Sequence, residues 1–211
     1  MRQPRRAAAS AAIALVAALG IAGLAAQDRG PAGRDPLKKD ADALAAKIAR
    51  IQAIAGSPSV AERAPVRTVL TENEINAYLF WNADEVLPVG LTEPRFRLGG
   101  DGQVSADAIV DLTAIRGQRE RGWLDPLAYV GGKMPVAASG IVRARDGLGW
   151  IELGDVTIGG VSVPKSVLQE LVTYYTRSPE SPAGVSLDGP IRLPAAIRAV
   201  TVGKGEAVVI Q

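Results

Sequence analysis

No cysteine and no histidine occur anywhere in this chain. Their absence excludes Ser-His-Asp and Cys-His nucleophile systems, thiol redox chemistry, a disulfide framework and any Cys/His zinc site. Carboxylate-only chemistry remains possible. Aromatics are scarce at 4%, so the run Tyr78-Leu79-Phe80-Trp81 stands out as a local concentration. Basic charge is also in short supply once the leader is set aside. The formal net charge is +2, with 24 basic against 22 acidic residues. Removing Arg2, Arg5 and Arg6 leaves 21 basic residues and a net charge of −1, which takes away the main electrostatic argument for a nucleic-acid partner. No Gly-rich phosphate loop, dinucleotide fingerprint or metal-ligand spacing is present, so no cofactor and no metal are expected.

What is there begins with an export signature. Met1 to Arg6 is a positive segment, and Ala7 to Ala26 is an apolar run ending in small residues, the pattern of a secretory signal peptide. The run is also long enough to cross roughly 30 Å of hydrocarbon. Residues 1–26 therefore read as a signal peptide or an uncleaved signal anchor. The expected location is exported, either periplasmic or held at the inner membrane by the N-terminal segment. Residues 27–65 read as a linker and an amphipathic helix. Over Pro36–Ala55 the residues Leu37, Ala41, Leu44, Ile48, Ile51 and Ala55 recur at spacings of a helical seam. That seam suits either a short oligomerising coil or, as we favour, a helix docked on the domain.

Residues 66–211 read as a single α+β domain. Thr71-Glu72-Asn73-Glu74 is a capping box opening a helix with Ile75, Tyr78 and Leu79 on its apolar side. Glycine-centred turns follow: Gly99–Gly102 between Leu91–Leu98 and Gln103–Ile115, Asp146-Gly147 after the strand from Lys133, and Gly203-Lys204-Gly205 near the end. They predict three hairpins. The stretch from Leu148 to Val163 reads as one long strand leading through Pro164 into a helix, with Val167, Leu168, Leu171 and Val172 on one stripe. The fold class expected is α+β: a curved, mostly antiparallel sheet of glycine-turned hairpins wrapped around one long helix, with additional N-terminal helices. Asp107 and Asp111 face one way on a strand, but about 13 Å separates them at 3.3 Å per residue. That is too far for a shared proton or ion, and no catalytic residue is assigned. Only a close pair such as Asp107 or Asp111 against Glu152 or Asp155 would revive an enzyme.

Four phrases carry a resemblance. They are LTENEINAYLF at Leu70–Phe80, GDGQVSADAIVDL at Gly100–Leu112, VTIGGVSVPKSVLQELV at Val156–Val172 and IRLPAAIRAVTVGKGEAVVI at Ile191–Ile210. Together they resemble exported bacterial domains of the tubular lipid-binding type, such as the YceB-like and YpmS-like proteins, without the anchoring cysteine of the lipoprotein members. The resemblance implies a sheet curved around a long helix, an apolar groove for acyl chains and a role at the cell envelope. The lining residues expected from the apolar patterning are Val142, Ile158, Leu168, Leu171 and Val172, with Tyr78 and Trp81 at a mouth. The expected partner is a lipid or other hydrophobic molecule, with a membrane surface or an envelope protein as a further contact. The competing expectation is a non-catalytic structural or protein-interaction module of the envelope, docking through a sheet edge or the Leu37 helix.

Overall fold

A computed structural model of the chain describes residues 35–56, 64–116, 131–176 and 186–211. The leader, most of the linker, the Arg119–Leu127 segment and the Ser178–Gly184 loop lie outside the described residues. The elements in order are α1 (Pro36–Ala55), β1 (Arg67–Thr71), α2 (Glu72–Trp81), α3 (Ala83–Val86), β2 (Leu91–Gly100), β3 (Gln103–Asp111) and α4 (Leu112–Arg116). There follow β4 (Lys133–Arg145), β5 (Leu148–Ile158), β6 (Val161–Ser162), α5 (Lys165–Thr176), β7 (Ile191–Arg192), β8 (Ala199–Gly203) and β9 (Glu206–Ile210). The α+β class expected from the sequence is the one found.

α1 starts where Asp35 accepts from the Leu37 N–H, just ahead of Pro36 at the first helical position, both start signals of a helix. Its seam is buried from Ala41 to Ile51, with Ala41, Leu44 and Ile51 2% exposed or less, while Leu37 ahead of it is 51% exposed. The helix is docked, and the seam is part of the domain core. α2 carries the expected capping box in full, Thr71 hydroxyl accepting from Glu74 N–H and Glu74 carboxylate accepting from Thr71 N–H. Ala77 and Leu79 are its buried apolar residues, while Ile75 and Tyr78 pack half-buried against the core.

All nine strands join one antiparallel sheet with the path β1-β9-β8-β4-β3-β2; β5 adds to β4 and carries β6 and β7 on its other side. The two halves meet at the Gly99–Gly102 turn, where Gly102 N–H donates to Val202 and Val142 N–H donates to Gly102. Two expectations change here. β3 stops at Asp111, because its carboxylate accepts from Thr113 and Ala114 N–H and opens the short α4. The long strand from Leu148 also ends early. Gly159 and Gly160 adopt φ of 60° and 81°, which only glycine takes without cost, and the chain folds back so that Ile158 pairs with Val161. A bulge in the β4/β5 register between Ala138 and Gly140 then brings Val156 opposite Ala138, onto the face of Ile151 and Leu153; simple alternation puts it with Trp150 instead.

The core is gathered at one end. Leu44, Ile48 and Ile51 of α1 meet Leu70, Leu98, Val104, Val200, Val202 and Val209 from the sheet, and Ile197 from the turn before β8. No Leu168, Leu171 or Val172 belongs to this cluster. The helix over which the core forms is therefore α1, and α5 stands apart from it. Gln211 stitches this end together, its backbone paired with Val66 and its amide donating to Ile51 and Ala195 carbonyls.

Candidate functional site

The core-side face of the sheet continues past the packed core. Strand register places Phe96, Ala106, Ala138 and Val156 side by side in one rung. The next rung is Ala108, Val136 and Ile158, and the last is Leu91, Val110 and Met134. Every member is apolar. Alanines floor the middle of the strip while Phe96 and Val156 border it, so the pattern is a shallow furrow between larger side chains. Val156 is 7% exposed, and the other members are only half-buried. Gly140 is a different case. A Cβ there would sit 2.7 Å from the Glu152 carbonyl oxygen, so this glycine serves the close approach of β5 at the bulge and leaves no room for a guest.

The expected lining residues do not converge on one cavity. Val142 and Ile158 share the core-side face, but Val142 pairs with Ile151 and Ile158 with Val136. Six residues of β4 therefore separate the two positions, roughly 20 Å at 3.3 Å per residue. Val142 lines a wholly apolar cavity of about 20 Å³ closed by Leu193, Pro194, Ile197 and Val200, room for about one water and no acyl chain. Leu168, Leu171 and Val172 are half-buried on α5. Tyr78 packs against the α1 end of the core, where burial and then the Glu85 carboxylate push its hydroxyl above the ordinary tyrosine range. Trp81 is 44% exposed, edge-on to Phe80 with Lys38 Nζ 5.9 Å from its ring. Both aromatics lie C-terminal to Asn76, the residue of α2 that bonds Phe96.

Three of the four carboxylates that could have formed a catalytic pair are held in ion pairs or a cap, and Asp155 is exposed. Asp107 meets Arg97 at 3.0 Å on the outer face, Glu152 takes a two-pronged pair from Arg143, and Asp111 caps α4. Among the described residues no group of three or more acidic ligands could hold a metal ion. Asn76 carries a role that sequence reasoning missed. Its side-chain amide accepts from Phe96 N–H at 2.7 Å and donates to Phe96 carbonyl at 2.8 Å, while Glu72 accepts from Leu98 N–H. α2 thus caps the outer edge of β2 with side chains where a further strand would pair. The signal was present in the sequence, as two polar residues spaced four apart on one side of a helix preceding a strand.

Comparison with models of known families, with characterised proteins and with solved structures finds no match. The likeness to tubular lipid-binding domains rests on the quoted phrases alone. Among the described residues no helix is long and apolar enough to cross a membrane.

Proposed function

We propose that this chain is an exported, non-catalytic protein of the cell envelope that binds a hydrophobic ligand, a lipid, along the apolar furrow of its sheet. The observation that supports this reading most is the run of apolar rungs beyond the core, floored by Ala106, Ala108 and Ala138 and, apart from Val156, only half-buried. Self-packing has a dense core elsewhere to satisfy it. An alkyl chain laid on this strip gains about 0.8 kcal/mol per buried methylene, so eight methylenes contribute roughly 6 kcal/mol before the cost of association. No charged anchor is needed for capture of that strength. The apolar run Ala7–Ala26 supports export, and the absence of histidine and cysteine supports a binding role over a catalytic one.

Ala138 and Ala137 offer a matched test because they are neighbours on opposite faces of β4. Ala138→Phe fills the furrow and is expected to weaken binding of a fluorescent long-chain fatty acid at least tenfold. Ala137→Phe, on the outer face, is expected to leave it within about twofold. Equal loss in both, or no saturable binding by the unsubstituted chain, contradicts the proposal.

A further inference from the structure

The outer edge of β5 is open in its middle and closed at both ends. β7 pairs with Leu148 and Gly149, and β6 with Thr157 and Ile158; among the described residues no strand pairs with the stretch Trp150–Asp155. The hydrogen bond from Leu193 N–H to Gly147 carbonyl shows which residues face this side. Alternation along an antiparallel strand then turns the N–H and C=O of Ile151 and Leu153 the same way. The chain before β7 would supply the missing strand if it ran straight on, but it turns away at Pro190. Asp188 is instead held by Lys165 and the Leu187 N–H by the Gln169 side chain, both on α5. Between this segment and the β5 edge lies a cavity of about 400 Å³, lined by Ile151, Leu153, Trp150, Lys165 and Arg145 among others.

From this we propose a second binding site, independent of the furrow: a recess that takes a short extended peptide from a partner protein as an added strand of the sheet. The main-chain groups of Ile151 and Leu153 supply backbone pairing, and the side-chain environment supplies selection. The open stretch of β5 is roughly 20 Å long at 3.3 Å per residue, so it holds a peptide of about six residues, or five with blocked ends. On the core side Ile151 and Leu153 favour apolar residues at alternate positions. On the outer side Arg143 is paired with Glu152 and Lys165 with Asp188, while Arg145 has no carboxylate partner among the described residues. That unpaired cation, which lines the same cavity as Trp150, selects an acidic residue at the intervening positions. Self-pairing of β5 with β5 of a second copy does not fit, because both edges are recessed between the same two flanking strands. The contrast with β2 is instructive: there the edge groups are satisfied by Asn76 and Glu72, and on β5 no such side chains are supplied.

Hydrogen exchange on the full chain tests the site directly, with the blocked peptide acetyl-Val-Glu-Val-Glu-Val-amide as probe. The amides of Ile151 and Leu153 are expected to exchange freely in the protein alone and at least tenfold more slowly with saturating peptide. Acetyl-Val-Lys-Val-Lys-Val-amide is expected to bind at least fivefold more weakly, and Arg145→Glu, an exposed substitution, to reverse that preference. Amides already protected without peptide, unchanged exchange at saturation, or equal affinity for the two peptides overturns the proposal. None of these readings depends on whether the furrow holds a lipid.

Discussion

Glu74 joins two helices through one carboxylate. Both of its oxygens lie within 2.7 Å of Lys47 Nζ on α1, and it also accepts from the Thr71 N–H. Burial pushes this carboxyl up, but the Lys47 ammonium together with the Thr71 hydrogen bonds outweighs burial and holds it below its ordinary value of 4.5. A depressed folded-state pKa contributes stability that is fully present above about pH 4.5 and is lost as pH falls through the lower folded value. Glu74→Gln is expected to cost about 1–3 kcal/mol at pH 7, the range for a hydrogen bond to a charged group whose partner is left behind. It is also expected to flatten the acid limb of a plot of unfolding free energy against pH. A variant whose stability falls on acidification as steeply as that of the unsubstituted chain contradicts this assignment. The capping box was legible from Thr71 and Glu74 alone, because it depends on residues three apart. The Lys47 contact was not, since it joins positions 27 residues apart in the chain.

At the scale of elements, local chemistry predicted what local chemistry decides. The helix over Pro36–Ala55 and the hairpin turns followed from the periodicity of Leu44, Ile48 and Ile51 and from Gly147 and Gly205. Two features escaped, the first because a local cap overrides the alternation and the second for a nonlocal reason. Leu112 continues the alternation of β3, yet the Asp111 carboxylate turns the chain into α4; Val156 changes faces because a bulge in the pairing with β4 shifts the register. The docking of α2 on β2 depends most on Asn76. Asn76→Ala leaves Phe96 without partners for its N–H and C=O, and at about 1 kcal/mol per neutral hydrogen bond it is expected to cost about 2 kcal/mol. Urea unfolding measures this through the midpoint. Asn76→Asp, which keeps the acceptor and loses the donor, should fall between the two. An unchanged midpoint for the alanine variant would mean that water satisfies this edge equally well.

For the whole molecule, the sheet separates two tasks. One end is filled by α1 and the hairpin of β8 and β9, with Val209 and Leu70 almost fully enclosed. The other end presents the rungs of Ala106, Ala108, Val136 and Ile158, apolar without being sealed. The apolar character of this face was legible in the alternation of β3 and β4. Which helix covers which end was not, because α1 and α5 have equally convincing apolar stripes and only the long-range fit of Leu44 and Ile51 beneath Leu70 and Val209 distinguishes them. The proposed function rests on the unsealed end, and mass measurement of the intact folded protein addresses it without substitution. Native mass spectrometry of the full chain purified in the absence of added lipid is predicted to show the polypeptide mass plus a discrete adduct. Organic extraction should remove that adduct, and a long-chain fatty acid should restore one at a single equivalent. A bare polypeptide mass that no lipid shifts would contradict the account.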